Sequence, residues 1–235
     1  MTNPCRRHFL RVTAAQEAAA IEPTQTMAGA TAYEHQLNQL LQDRLRLKQV
    51  QSNQGKAELK RLLLPGYIPY VQGVLEAGQG AQDEVLTTVM VWRIDAGDFT
   101  GALDIAAYVL KHNMVMPDRF ARTLGCLVAE EVATAAFKAQ KINEPFDLAI
   151  LHRTAELTDD QDMPDQARAK LYLATGRATL EGLSEENPGQ PGQPGQVLAG
   201  IDLLKKAIAL HDACGGKKDL ERAERLLNKL AAAGS

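Results

Sequence analysis

Aromatic residues make up only 5% of the chain, β-branched runs are short, and alanine and leucine dominate; that balance disfavours sheet and predicts an all-α protein. Long apolar runs are missing as well. No window approaches the ~18 apolar residues needed to span a bilayer, and the N-terminal stretch lacks the apolar centre of a secretory signal, so a soluble cytosolic protein without membrane attachment is expected. Cysteine is scarce: Cys5, Cys126 and Cys214 are odd in number, far apart and in no C-x-x-C pair. Such spacing excludes a disulfide framework and leaves reduced thiols as the expectation.

Familiar catalytic constellations are also lacking. Serine occurs only as Ser52, Ser184 and Ser235, none in a strand-turn-helix setting or near a histidine, which argues against nucleophilic catalysis. His8, His35, His112, His152 and His211 are scattered, with no pair at the helical spacing that ligates zinc. Gly215-Gly216-Lys217-Lys218 resembles a phosphate loop superficially, yet it lacks the earlier glycine and the Ser or Thr that would hold magnesium. Gly78-Gln79-Gly80 is too isolated for a dinucleotide fingerprint. The one dense acidic group is Asp159, Asp160 and Asp162, in a loop before Met163-Pro164. Two-metal cleavage needs carboxylates converging on ions ~4 Å apart; this trio fits that chemistry or, more simply, a solvated surface. No catalytic residue, metal or cofactor is expected.

What is present is helical periodicity. Residues 83–117 read as two amphipathic helices hinged on Asp95-Ala96-Gly97-Asp98, with Gly97 suited to a left-handed helix end and Asp98 to the next N-cap. The inward positions would be Leu86, Val89, Met90 and the stem of Arg93, facing Phe99, Leu103, Ala106, Ala107 and Leu110. Residues 1–30 mix basic and turn-prone residues and predict a basic flexible arm. Residues 31–63 predict one long helix with an imperfect leucine stripe suited to packing against another chain. Pro65 and Pro69 then turn the chain into a central helical domain, residues 64–184. Within it, helices are expected near 128–140 and 146–157 and from Pro164 onward. Residues 185–196 repeat Pro-Gly-Gln three times, hence a linker. Residues 197–235 predict a tethered helical hairpin turned at Gly215-Gly216.

Charge is segregated along the chain. Residues 1–61 carry nine Lys and Arg against five acids, residues 62–160 seven against fourteen, and residues 161–235 ten of each. A phosphate-binding footprint is therefore expected near the N-terminus, on Arg6, Arg7, Arg11, Arg44, Arg46, Lys48, Lys56, Lys60 and Arg61. The same charges also fit a solvated helix face. No helix-turn-helix pattern stands out before Leu64.

The run GVLEAGQGAQDEVLTTVMVWRIDAGDFTGALDIAAYVLKHNMVMP resembles the terminase small subunit of temperate tailed phages of the Peduovirus (P-two-like) group. So do EEVATAAFKA at 130–139, LTDDQDMPDQARAKLYLATG at 157–176, CRRHFLRVTAA near the start, and TAYEHQLNQLLQDRLRLK. The segments match in order and cover nearly the whole chain. The resemblance implies a DNA-packaging protein of the host cytoplasm that binds double-stranded phage DNA at the packaging site and assembles as a ring-like homo-oligomer. It would present that DNA to a large subunit holding the ATPase and nuclease. Family members end in a Lys/Arg-rich tail, whereas this sequence ends at AAAGS, which leaves any contact by that tail in question. Two other readings stay open: a metal-dependent endonuclease subunit, as the family is sometimes labelled, and an adaptor of the large subunit that does not touch DNA.

Overall fold

A computed structural model describes residues 3–23, 25–117, 122–183 and 193–233. It is all-α. Among the described residues there are eleven α-helices and no strand, only an isolated bridge pairing Thr26 with Gln82. The chain forms two compact units, Met1–Leu124 and Gly125–Ser235, so the stretch 64–184, expected as one central domain, is divided between them.

The first unit contains α1 (Pro4–Ala20), α2 (Thr31–Gln49), α3 (Asn53–Leu63), α4 (Ile68–Ala77), α5 (Glu84–Ala96) and α6 (Phe99–Lys111). The expected flexible arm is instead α1, capped by Asn3 and opened by Pro4. It packs along α4. Ala14 and Ala18 are buried, and a Cβ on Gly73 of α4 would lie 2.3 Å from the carbonyl oxygen of Arg11. Small residues on both helices thus permit an approach that larger side chains would block. Glu17 then reaches forward to accept the backbone N–H groups of Thr31 and Ala32 at 3.1 and 2.8 Å, capping α2 from outside.

The expected single helix over 31–63 is two helices. Val50 is extended, and Ser52 accepts the Gly55 N–H at 3.0 Å to start α3. The serine offers the backbone a cap in the middle of the Gln-rich stretch, and the helix restarts there. The hairpin of α5 and α6 has the expected turn: Gly97 is left-handed (φ 83°) and Asp98 accepts the Gly101 N–H at 3.0 Å. However, α5 is not amphipathic. Val85, Thr87, Thr88, Trp92 and Ile94 are buried along with Leu86, Val89 and Met90, because α2, α3 and α6 all pack around it. On α6 the buried residues are Ala102, Leu103, Ile105, Ala106 and Val109, while Phe99, Ala107 and Leu110 are only partly covered.

The second unit contains α7 (Leu124–Lys141) from its second residue onward, α8 (Leu148–Thr158), α9 (Asp165–Thr179), α10 (Gln193–Leu210) and α11 (Lys217–Ala233). Most of the Pro-Gly-Gln linker lies outside the described residues, but its last four positions, 193–196, already belong to α10. The C-terminal hairpin is not a separate tethered module. Its helix α10 packs on α9, burying Leu204 and Ala207 with Leu173, and Val197 and Ile201 join Leu226 in the core. A Cβ on Gly200 would come 2.6 Å from Leu180 Cγ. Gln196 donates to the Thr179 carbonyl at 2.7 Å, and Arg177 donates to Asp219 at the same distance.

Candidate nucleic-acid interface

Two buried tyrosine–carboxylate pairs set the framework of the first unit. The Tyr67 hydroxyl donates to Asp43 at 2.8 Å, joining the turn before α4 to α2. The Tyr70 hydroxyl donates to Asp83 at 2.6 Å, and Asp83 caps α5 through the Leu86 N–H at 2.8 Å. Burial pushes the Asp83 carboxyl up to about 6 in spite of these hydrogen bonds. It also raises both phenols and pushes neighbouring Tyr33 up to about 12. The loop before α5 is pinned at Gln82. Its backbone pairs with Gln25 and Met27, and its side chain holds the N–H and carbonyl of Val115 at 2.8 and 2.7 Å.

On this framework the nine cationic candidates separate into two kinds. Arg44 is largely covered, with one nitrogen 2.7 Å from Glu84 and 3.0 Å from Thr88. Lys60 pairs with Asp95, and Arg61 donates to the Ala96 carbonyl at 2.9 Å, fastening α3 to the end of α5. Arg46 holds Asp43 at 3.0 Å, and Arg11 lies 3.6 Å from Glu76. By contrast, Arg6, Arg7 and Lys48 are exposed and carry no ion pair among the described residues; Lys56 is partly covered. Spacing alone could not separate these kinds, because the acids that occupy Arg44, Lys60 and Arg11 are remote in sequence.

The first unit also leaves large apolar residues exposed. Leu41 and Leu45 lie four residues apart on α2 and are 47% and 53% exposed; Leu62 on α3 is 78% exposed. Lys48 continues the line of Leu41 and Leu45 along α2. The leucine stripe read from the sequence is thus split, with Leu40 and Leu47 facing the core.

Asp159, Asp160 and Asp162 lie at and beyond the end of α8, all exposed. No group of three or more His, Cys, Asp or Glu among the described residues is arranged to hold a metal ion, and no helix among them is long and apolar enough to cross a membrane. In the second unit a cleft of about 340 Å³ is lined by Gln140, Asn143, Arg177, Leu180, Asp219 and Arg222, among others.

Against known proteins, the phage small terminase subunit family matches residues 37–166. The chain is 42% identical over 227 residues to "Terminase, endonuclease subunit" of Escherichia phage P2, covering 97% of this chain and 86% of that one. It is 25% identical over 189 residues to "Probable terminase, endonuclease subunit" of Haemophilus phage HP1 (strain HP1c1), covering 76% and 64% respectively. No solved structure matches.

Proposed function

The chain belongs to the phage small terminase subunit family, and on that premise we propose that it works in phage DNA packaging as a non-catalytic, self-associating subunit. It binds double-stranded DNA at the packaging site, assembles as a ring, and presents the DNA to the large terminase subunit in the host cytoplasm. The observation that carries this reading is the outer face of α2. Leu41 and Leu45 stand exposed there in line with Lys48, which suits a helix that meets another copy along its apolar line while a cation borders the contact.

The exposed Arg6 and Arg7, in the first turn of α1, and Lys48 supply the phosphate contacts. Arg44, Lys60 and Arg61 contribute chiefly by holding α2, α3 and α5 together. The second unit engages the large subunit. Deleting 197–235 does not test that contact cleanly, because it uncovers Leu173 and Leu180; surface substitutions on α10 and α11 do. DNA binding is tested by mobility shifts on packaging-site duplex at several salt concentrations. Each phosphate neutralised contributes about 0.9 to the slope of log affinity against log salt, and a flat response would leave only the DNA-independent adaptor.

The label borne by the phage P2 relative favours a second reading, in which this subunit cuts the site itself. Purified protein with magnesium should then cleave packaging-site duplex, and replacing Asp159, Asp160 and Asp162 together by Asn should stop it. Absence of cleavage by the unaltered protein disposes of that reading.

A further inference from the structure

Charge in the second unit is sorted by helix face. On α11, Lys218, Arg222, Arg225 and Lys229 follow one another at spacings of four, three and four, which places them within an arc of about 60° on a line about 16 Å long. All four are exposed. The acids of the same helix are largely turned elsewhere: Asp219 takes Arg177 at 2.7 Å and Glu224 takes Lys205 at 3.1 Å. Lys218, Arg222 and Arg225 carry no ion pair among the described residues. Glu221 is exposed at the edge of the line, and Glu181 and Asp219 line the same cleft as Arg222. Balanced composition over 161–235 thus conceals a one-sided display of positive charge.

This arrangement does not serve the helix itself. Lys217 and Lys218 occupy the first turn of α11, where the helix dipole disfavours cations. Lys217 is offset by Asp212 at 2.6 Å; Lys218 makes no ion pair among the described residues. Nor does the line suit the centre of a protein contact, which calls for aromatic or apolar anchors with few charges. The apolar residues of α11, Ala223, Leu226 and Leu230, are buried in the unit's own core. A straight row of cations with no apolar centre suits a polyanion carrying closely spaced charge, and B-DNA carries one charge per ~1.7 Å of axis.

We infer that the outer face of α11 is a second, sequence-independent binding surface for the phosphate backbone of duplex DNA, separate from the basic N-terminal surface. The inference rests on the proposed DNA-binding role. Binding of the full-length protein to a packaging-site duplex is measured across salt concentrations for four proteins. They are the unaltered chain, a Lys218→Gln/Arg222→Gln/Arg225→Gln variant, an Arg6→Gln/Arg7→Gln variant, and Glu221→Lys. The α11 triple variant should lower the salt slope by about 2.7, and Glu221→Lys should raise it by about 0.9; circular dichroism should show unchanged helicity in both. If the unaltered protein binds and neither α11 variant moves the slope, the α11 surface is wrong while the DNA-binding role stands. A variant that keeps its DNA slope and loses only the large subunit would assign the row to that protein and equally overturn the inference. Failure of the unaltered protein to bind duplex at all would remove both.

Discussion

The hydroxyl of Tyr70 donates to the buried carboxyl of Asp83 at 2.6 Å and so ties α4 to the first turn of α5. Because burial holds Asp83 near 6, above its ordinary value of 3.8, the folded state binds a proton more tightly than the unfolded one. The resulting stability is fully present below about pH 4 and is lost as pH rises through about 6, amounting to about 3 kcal/mol. Asp83→Asn should flatten this part of the stability profile while keeping an acceptor for Leu86. Denaturation followed from pH 4 to pH 7 checks it, and an unchanged profile would place the pH dependence elsewhere.

Docking of α1 depends on the missing side chain at Gly73. In Gly73→Ala the new methyl would meet the Arg11 carbonyl and the Ala14 methyl, at 2.3 and 2.9 Å. The helix must lift, and the loss should be about 1–3 kcal/mol. Limited proteolysis should cut between α1 and α2 faster than in the unaltered protein, with little change in the second unit.

Replacing Leu41 and Leu45 together by Glu tests the outer face of α2. Both are about half exposed, so the melting temperature should change little. Sedimentation should show a smaller assembly. An unaltered mass would move the subunit contact to another surface.

Cations that fasten helices and cations that meet phosphate should respond oppositely. Arg44→Ala removes the contacts to Glu84 and Thr88, so stability should fall by about 1–2 kcal/mol while the salt slope of DNA binding stays within about one contact of the original. Arg6→Gln with Arg7→Gln should leave stability alone and lower the slope by about 1.8. Paired melts and mobility shifts distinguish the two effects.

Local signals in the sequence located much of this architecture. The Gly97–Asp98 turn, the helices after it and the Gly215 turn all follow from caps and periodicity near each site. What escaped depends on remote partners. The docking of α1 rests on alanines and on Gly73, far along the chain, so no apolar stripe announced it. The loss of amphipathic character in α5 comes from three neighbouring helices that periodicity cannot reveal. Likewise nine cations looked equivalent until Glu84, Asp95 and Glu76 were brought beside Arg44, Lys60 and Arg11. The row on α11 is hidden in the balanced charge of 161–235, and its one-sidedness emerges only once Asp219 and Glu224 pair with other helices.

The decisive measurement is the native mass of the purified protein, alone and with packaging-site duplex, with the duplex recovered afterwards. A defined homo-oligomer that gains the mass of intact duplex is expected. A species that stays monomeric, ignores the duplex or returns it cut would contradict a non-catalytic, self-associating packaging subunit.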